Sequence, residues 1–562
     1  MMAASSVPPA SSSPPDTPGV LLLYANPAQT ADPVPPYGME RIGTALTRAG
    51  CDVTLLSPFM TDAPVRSVVA ALAEAPALVG VSVRNLDDAL SVRSELGAGV
   101  IDTNSTLTAI RPLIAAAVKA VGVDRVVLGG AGIAAGGEAV IAALGARWGI
   151  IGPADDLAAE LGARLVAGQS PLPLSDPRMA DAANPRTRPP RFARAFSAPI
   201  GPTTRDPRWL SVVAARQSAV PVEVATGCDR RCWFCMEARA AGQRVYPRPV
   251  PAVVAEVDAL IAAGVETVWL SASELNVPDD AHAIAVLRAL SGRDVTLRFF
   301  LQAAPISPAL LDAIEDCGID PATVPIEAGH LDDRILRAGG GPANRSHLDA
   351  LVGRWVARGY SSLSLSVIFG AHPLETEQTL EAATSAARQI DAALPEGLSL
   401  SYSCGARVYA RSPLADWIRA HPEEAAPDLY GAVGEGDFAA PVVFCRPLAP
   451  RRMLARVKGA LWGMRGDSGP LNTELAETGS TEAAINHSLW QWAEGERAAA
   501  LTGLADALAQ DPDHLAALSQ QARLLHADGQ RDATRAVLSR LLEVMPQDDP
   551  RHGEISAALS RW

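Results

Sequence analysis

The chain has 562 residues, 48% of them hydrophobic, so it is long enough for several domains and can bury a substantial core. Its formal net charge of −14 at pH 7 argues against broad binding to nucleic acid or to an anionic membrane surface. Seven scattered cysteines do not form the even framework of a disulfide-stabilised secreted protein. We therefore expect a soluble, cytoplasmic protein with neither nucleic-acid nor membrane partners.

The first 18 residues, MMAASSVPPASSSPPDTP, are rich in Pro and Ser and contain no basic residue and no apolar run. This composition predicts a disordered tail rather than a signal peptide. No apolar run anywhere in the chain approaches the roughly 20 residues that a membrane-spanning helix needs.

Residues 19–168 predict a doubly wound, Rossmann-like parallel sheet. Short apolar runs that read as strands (GVLLLYANP, DVTLL, ALVGVSVRN, DRVVLGGAG) alternate with helical stretches such as YGMERIGTALTRAG. Ligands of such sheets bind at the carboxyl ends of the strands, where the sequence has SVRN (82–85) and GGAG (129–132). The phosphate fingerprint G-x-G-x-x-G is absent after the first strand, which leads into YANPAQ.

The rest of the chain divides into three parts. Residues 169–220 are rich in Pro, Arg and Ser and predict an extended linker. Residues 221–450 contain six β/α units, which predict an open, partial (β/α)6 barrel. Residues 451–562 read as helical. Pro512 and Pro546 stand 34 residues apart, the tetratricopeptide period, and a plain helical cap is an equal alternative.

Three cysteines in CDRRCWFC follow the first strand of the second parallel region, at spacing C-x3-C-x2-C. A structural zinc site would need a fourth ligand, but the closest histidine is His282 and the next cysteine is Cys317. Three clustered thiolates instead suit a [4Fe-4S] cluster with one iron left open. The spacing and the placement together favour the cluster over zinc.

The segment GCDRRCWFC, followed by β/α repeats, resembles the radical S-adenosylmethionine (SAM) superfamily. The resemblance implies that the cysteines hold a [4Fe-4S] cluster whose open iron binds SAM. It places Phe234 against the adenine and SASE (271–274) at the methionyl amino group, with Glu327 near the carboxylate and ribose. A solvated or salt-bridged carboxylate is the alternative for Glu274 and Glu327. The implied site residues are Cys228, Cys232, Cys235, Phe234, Ser271, Ser273, Glu274 and Glu327.

The first domain resembles the cobalamin-binding domain of cobalamin-dependent radical SAM enzymes, through PPYGMERIG, VGVSVRNLDD, VVLGGAGI and WGIIGP. Residues 1–281 contain no histidine, so the cobalt has no histidine ligand from its own domain. The resemblance implies that Arg84 lies where a lower ligand would be; the alternative is an ion pair with Asp87 or Asp88. The residues implied at cobalamin are Tyr37, Gly38, Ser82, Arg84, Asn85, Gly129, Gly130 and Gly132.

Together these features, over residues 19–450, resemble the class B cobalamin-dependent radical SAM methyltransferases. The resemblance implies transfer of a methyl from SAM, through Co(I) and methylcobalamin, to an unactivated carbon of a natural-product precursor. It also implies an electron donor such as flavodoxin or ferredoxin.

The layout is most similar to the tryptophan 2-C-methyltransferases of thiopeptide antibiotic biosynthesis, which implies C2 of the indole of L-tryptophan as the acceptor. Glu274 could then occupy the open iron in place of SAM. Tyr402 and Tyr409 are candidates to flank a flat substrate, with a role in the core as the alternative.

Other functions stay open. A cobalamin-binding radical SAM cyclase or ring-rearranging enzyme would use the same features, as would radical methylation of another small molecule or peptide. A methylthiotransferase is disfavoured because its first domain should hold a second cysteine triad, and here that domain holds only Cys51. A non-enzymatic cobalamin sensor would not need the cysteine loop.

Overall fold

The computed structural model describes residues 17–27, 34–61, 63–86, 106–186, 202–216, 218–240, 242–431, 438–466, 468–470, 480–545 and 550–560. Most of the predicted tail, part of the predicted linker, Asp87, Asp88 and Pro546 lie outside the described residues.

The first region contains a six-stranded sheet in the order β2-β1-β3-β4-β5-β6. All neighbouring strands are parallel except the last pair. The predicted doubly wound fold is confirmed. The strand order reverses between β1 and β3, and such a switch point opens a crevice for a ligand. The elements are β1 (Gly19–Ala25), α1 (Tyr37–Arg48), β2 (Asp52–Leu56), α2 (Pro64–Leu72), β3 (Leu78–Val83), α3 (Thr106–Val121), β4 (Val126–Gly129), α4 (Ala131–Ala143), β5 (Trp148–Ile150), α5 (Asp155–Val166) and β6 (Met179–Asp181).

Strand β1 shows why the apolar run forms a central strand. Val20 and Leu22 pack into a core on one face of the sheet, whereas Leu21 and Leu23 pack into a separate core on the other face. Successive strand side chains point to opposite faces, so a strand with helices on both sides must be apolar at every position.

The segment predicted as a linker contains two regular elements. Strand β6 adds antiparallel to the edge of the first sheet, and helix α6 (Pro207–Arg216) precedes the second sheet. Trp209 of α6 is fully buried and its indole nitrogen donates to Ser57 Oγ at 2.9 Å. The expectation of an extended linker is therefore wrong for these residues, because α6 has an apolar face that the first domain covers.

The second region forms a partial barrel from two hydrogen-bonded sheets, in the orders β11-β10-β7 and β12-β13-β14-β15-β19. The third predicted strand is split between the two sheets, and all neighbouring strands within them are parallel. The predicted six-strand barrel is confirmed. Its strands are β7 (Val220–Glu223), β10 (Thr267–Ser271), β11 (Thr296–Arg298), β12 (Leu301–Gln302), β13 (Ile326–Gly329), β14 (Ser362–Phe369), β15 (Gly397–Cys404) and the added β19 (Ser468–Pro470).

Helices connect these strands and short antiparallel ribbons lie beside them. The ribbons are β8 (Ala225–Thr226) with β9 (Tyr246–Pro247), and β16 (Ala406–Arg407), β18 (Val442–Phe444) and β17 (Leu429–Gly431). The helices are α7 (Glu237–Ala240), α8 (Val250–Ala262), α9 (Ala281–Leu290), α10 (Pro308–Glu315), α11 (Asp333–Ala338), α12 (Arg345–Arg358), α13 (Glu377–Ala393), α14 (Pro413–Ala420), α15 (Pro422–Ala425) and α16 (Pro450–Leu461).

The C-terminal region is helical, as predicted, and packs against the first domain. Leu489 and Leu504 share a buried core with Trp209, and Arg523 donates to the carbonyl oxygen of Ala215 at 2.8 Å. Within the described residues, no helix combines the length and the apolar character needed to cross a membrane. The helices are α17 (Ser480–Ala493), α18 (Arg497–Gln510), α19 (Leu515–Ala527), α20 (Arg531–Val544) and α21 (Pro550–Ser560).

Replacing Trp209 with alanine should loosen the C-terminal helices from the first domain. The indole is fully buried between them, so the cavity and the lost hydrogen bond should cost about 3–5 kcal/mol. The denaturant midpoint of unfolding measures this loss. The control is Trp462→Ala, because that side chain is 84% exposed and its removal should change stability by less than about 0.5 kcal/mol. Equal effects of the two substitutions would contradict the packing described here.

Candidate active site where two cavities meet

The three cysteines lie on a loop at the carboxyl edge of the partial barrel. The loop follows β8, and its backbone is hydrogen-bonded at both ends. The amide of Cys228 donates to the carbonyl of Gly242 at 3.1 Å, and the amide of Trp233 donates to the carbonyl of Gly339 at 2.9 Å. These bonds hold the loop in place without using the thiol groups.

Two glycines allow the close approach of this loop to its neighbours. Gly227 has φ +83°, and a Cβ there would lie 2.0 Å from the carbonyl oxygen of Arg244. Gly340 has φ +72°, and a Cβ there would lie 2.2 Å from the carbonyl oxygen of Arg231. The glycine run RAGGGP (337–342) therefore supports the cysteine loop, a signal in the sequence that our interpretation did not use.

A cavity of about 530 Å³ opens above the barrel, and we call it the cluster cavity. The lining of this cavity includes Gln302, His330, His372 and Glu375. No three His, Cys, Asp or Glu side chains in the described ranges converge as ligands of one metal ion would. The thiolates of a cubane cluster bind separate irons, so the arrangement is compatible with a cluster. All eight residues predicted at the cluster and SAM line this cavity: Cys228, Cys232, Phe234, Cys235, Ser271, Ser273, Glu274 and Glu327.

The three thiols lie where an uncompensated thiolate is unfavourable. Burial raises the pKa of Cys228 to about 11, and it raises the pKa of Cys232 and of Cys235 to about 12. A bound iron would offset this cost, because metal ligation needs the deprotonated sulfur. The chemistry of the donor set therefore fits a sulfur-ligated metal group.

Two carboxylates, Glu274 and Glu327, line the same cavity, and the charge of the first acts on the second. Burial raises the pKa of Glu274, and hydrogen bonding from Gln302 opposes this. Burial also raises the pKa of Glu327 to about 7, with a smaller contribution from the charge of Glu274. Gln302 is itself fixed, because its backbone amide donates to Asn276 Oδ1 at 2.7 Å and its carbonyl accepts from Asn276 Nδ2 at 2.9 Å. Glu274 is therefore held by a rigid neighbour.

His330 and Glu375 form a buried pair on the far wall of the cluster cavity. His330 Nε2 lies 3.1 Å from Glu375 Oε1, and His330 Nδ1 accepts from the amide of Asp332 at 3.0 Å. The second bond makes Nε2 the protonated nitrogen, which donates to Glu375. The sequence analysis did not identify this pair, although His330 directly follows β13.

A second cavity, of about 360 Å³, lies at the switch point of the first sheet, and we call it the sheet cavity. Most of its lining is small or apolar, including Ala134, Gly152 and Ala158. Five of the residues predicted at cobalamin line it: Tyr37, Gly38, Ser82, Gly129 and Gly130.

The glycines of the sheet cavity leave room for a ligand. A Cβ on Gly38 or Gly129 would meet no atom within 4 Å. Gly130 has φ +93°, and a Cβ there would lie 2.6 Å from the carbonyl oxygen of Val83, so only glycine fits between β4 and α4. Ser82 is the register partner of Gly129 across the two strands. The lining therefore fits a bulky ligand that approaches the backbone.

Five other predicted residues line neither cavity, and one of them, Tyr409, is half-buried with the Arg407 guanidinium 5.3 Å from its ring centroid. Arg84 and Asn85 follow β3 and are half-buried. Gly132 serves helix packing, since a Cβ there would lie 3.0 Å from the carbonyl oxygen of Val83. Tyr402 is 1% exposed within the barrel core and packs edge-on against Phe369, with ring centroids 5.8 Å apart, which matches the alternative of a core role.

Three residues line both cavities and form their shared wall: Glu223, Thr226 and Glu237. Glu223 ends β7 and pairs with Arg41 of α1, which also binds Asp155 at 2.9 Å. The backbone amide of Glu223 donates to the hydroxyl of Tyr37 at 3.1 Å. The sequence analysis did not identify the wall, because its residues come from one domain and their partners from the other.

Glu327→Gln should change how stability depends on pH. The folded carboxyl keeps its proton up to a pKa of about 7, whereas the unfolded chain releases it near 4.5, so wild-type stability falls as pH rises between these values. The substituted amide stays neutral throughout. We expect the variant to gain about 2 kcal/mol relative to wild type between pH 5 and pH 7.

Thermal unfolding of the two proteins at several pH values measures this gain. The control is Glu381→Gln, because Glu381 is exposed on α13. A constant difference between wild type and the Glu327 variant across the pH range would contradict the burial of this carboxyl.

Comparison with known proteins shows similarity over part of the chain. Residues 222–384 match the radical SAM superfamily. A tryptophan 2-C-methyltransferase from Streptomyces laurentii is 25% identical over 371 residues, which cover 55% of this chain and 60% of that protein. The chain thus spans about three fifths of the length of this relative.

Solved structures share the whole fold. The radical SAM methyltransferase TsrM from Kitasatospora setae, with cobalamin and a [4Fe-4S] cluster bound, matches with a TM-score of 0.63 and 20% identity, covering 87% of this chain and 99% of that one. The same protein with tryptophan and the SAM analogue aza-SAM matches with a TM-score of 0.65. The cobalamin-dependent SAM radical enzyme OxsB, with aqua-cobalamin and SAM bound, matches with a TM-score of 0.59 and 14% identity, covering 97% of this chain and 83% of that one.

Proposed function

We propose that this chain, whose residues 222–384 form a radical SAM domain, is a cobalamin- and SAM-dependent C-methyltransferase. The observation that carries the proposal is the shared wall. A cavity lined by three cysteines and a cavity lined by small residues at a sheet switch point meet at Glu223, Thr226 and Glu237. The two cavities are therefore adjacent, and under this proposal the methyl donor would lie beside the group that accepts the methyl.

The residues of the cluster cavity are proposed to hold the [4Fe-4S] cluster and SAM. Cys228, Cys232 and Cys235 are the cluster ligands, and Phe234 packs against the adenine. Ser271, Ser273 and Glu327 orient the polar end of SAM. Glu274, held by Gln302, competes with SAM for the open iron. An electron donor such as flavodoxin or ferredoxin would reduce the cluster if SAM is cleaved.

The sheet cavity is proposed to hold cobalamin, which supplies a metal centre able to accept and pass on a methyl group. Gly38, Gly129 and Gly130 admit the cofactor close to the backbone, and Tyr37 and Ser82 supply hydroxyl groups. Gly132 supports this site through helix packing. Arg84 and Asn85 are proposed near the corrin face, reached from the end of β3.

The best specific proposal for the acceptor is C2 of the indole of L-tryptophan. The S. laurentii relative is named for this activity, and the K. setae structure contains tryptophan as substrate. A radical reaction on another small molecule or peptide is the second candidate, including cyclisation or ring rearrangement. It is favoured by the similarity to OxsB, which covers 97% of this chain.

Cys232→Ala should abolish the iron–sulfur cluster. The thiol lines the cluster cavity and no other cysteine outside the triad does, so no replacement ligand is at hand within the described residues. We expect iron content and the visible charge-transfer absorption to fall to background after anaerobic reconstitution. The control is Cys317→Ala, whose thiol donates to the carbonyl of Leu287 at 3.2 Å away from the cavity. Full iron loading in the Cys232 variant would refute the cluster assignment.

Methyl-labelled SAM should transfer its label to L-tryptophan when the cluster and cobalamin are loaded. Mass spectrometry would locate the added methyl at C2 of the indole, and protein without cobalamin should give no product. If label reaches cobalamin but not tryptophan, the methyltransferase proposal survives and the tryptophan assignment fails. If label reaches neither, with both cofactors verified, the methyltransferase proposal itself fails.

A further inference from the structure

Glu237 differs from every other acidic side chain at the two cavities. Six carboxylates line them within the described part of the chain: Asp155, Glu223, Glu237, Glu274, Glu327 and Glu375. Five of these have a cation or a hydrogen-bond donor at the carboxylate, supplied by Arg41, Gln302, Ser366 or His330. The Glu237 carboxylate has neither among the described residues, and the neighbouring carboxylate of Glu274 carries a charge of the same sign.

The position of Glu237 explains why a ligand must supply its partner. Glu237 begins α7, two residues beyond Cys235, and its backbone amide donates to Cys235 Sγ at 3.4 Å. The backbone is thus fixed to the cysteine loop, while the carboxylate faces both cavities. The nearby guanidinium of Arg239 is already paired with Asp416 at 2.6 Å. Glu237 is half-buried, so a group that pairs with its carboxylate gains more than it would at the open surface.

We propose that the Glu237 carboxylate is the counter-ion of a cationic ligand group at the shared wall of the two cavities. This inference rests on the proposed function, under which that group is the sulfonium of SAM. The sulfonium carries the methyl that must pass from the cluster cavity to the sheet cavity, so it has to reach the shared wall. Glu237 is then a specificity-determining residue that distinguishes a charged methyl donor from its neutral product.

The electrostatic consequence is selective loss of affinity. SAM carries a sulfonium charge, whereas S-adenosylhomocysteine has a neutral sulfur in place of the methylated one. Sinefungin carries a protonated amine in place of the sulfonium, so it restores the charge without a transferable methyl. A carboxylate at the shared wall should favour SAM and sinefungin over S-adenosylhomocysteine, and this preference would also help to release the spent donor.

The test uses Glu237→Gln, which keeps the shape and removes the charge. Equilibrium dialysis of labelled SAM against reconstituted holoenzyme, with the two other ligands as competitors, gives three affinities per protein. We expect the variant to bind SAM and sinefungin about tenfold more weakly and S-adenosylhomocysteine within about twofold of wild type. The control is Glu266→Gln, an exposed carboxylate outside both cavities, which should change none of the three.

Two outcomes would overturn the inference: an equal loss for all three ligands, or no loss for any. Iron and cobalt contents check that the variant retains its cofactors. If the Glu237→Gln variant loses iron, the Glu237→Asp variant is measured in its place. That variant retains the charge and should retain the preference for SAM, so loss of the preference overturns the inference. Failure of the proposed function looks different, because wild-type holoenzyme would then pass no label from methyl-labelled SAM to cobalamin, whatever its affinity for the three ligands.

Discussion

The arrangement of both cavities depends on one buried ion pair between the two parallel sheets. Arg41 of α1 binds Asp155 at the start of α5 within its own domain and Glu223 at the end of β7 in the barrel. Arg41 and Asp155 are less than 10% exposed. Removing the guanidinium would leave two carboxylates without their partner, a change that costs far more than a surface ion pair is worth.

Further charged groups extend this contact along α1 and into the barrel. Arg205 binds Glu40 at 2.7 Å and lies 3.7 Å from Glu256, which Arg248 also binds at 2.6 Å. All four side chains are buried or nearly so. An apolar contact between two domains tolerates small shifts of one domain against the other. Buried charged groups do not, because such a shift would separate the partners of each ion pair. The network therefore holds the sheet cavity at a defined position relative to the first barrel strand, and that strand leads directly to the cysteine loop.

Local patterns were enough to predict the fold and the residues with their own chemical signature. Each of these signals consists of residues that are adjacent or nearly adjacent in the sequence: the apolar runs of β1 and β3, the glycines at the end of β4 and the C-x3-C-x2-C spacing. Helix α6 was missed because Pro and Arg surround it, and its apolar face has meaning only when the first domain and the C-terminal helices cover it. Glu223 and Glu237 were missed for a related reason. An isolated glutamate in a sequence predicts a solvated side chain, and only the meeting of two domains makes these two part of a wall.

Under the proposed function, the carboxylates that line the cluster cavity would keep the open iron and the methyl donor apart. Glu274 is held by Gln302 and, as proposed, competes for the iron, whereas Glu237 faces the sheet cavity as well. Burial raises the pKa of Glu237, with a smaller contribution from the charge of Glu274, and burial raises the pKa of the Cys235 thiol to about 12, with a smaller contribution from the charge of Glu237.

Under the proposed function, the ligand of the open iron would decide where the sulfonium of SAM lies. If Glu274 were that ligand, Glu237 would remain the unpaired carboxylate and would favour a sulfonium at the shared wall. If SAM were that ligand, its sulfonium would be held near the cluster, which would favour cleavage to a radical. The division of charge between two neighbouring glutamates would then select between methyl transfer and radical chemistry.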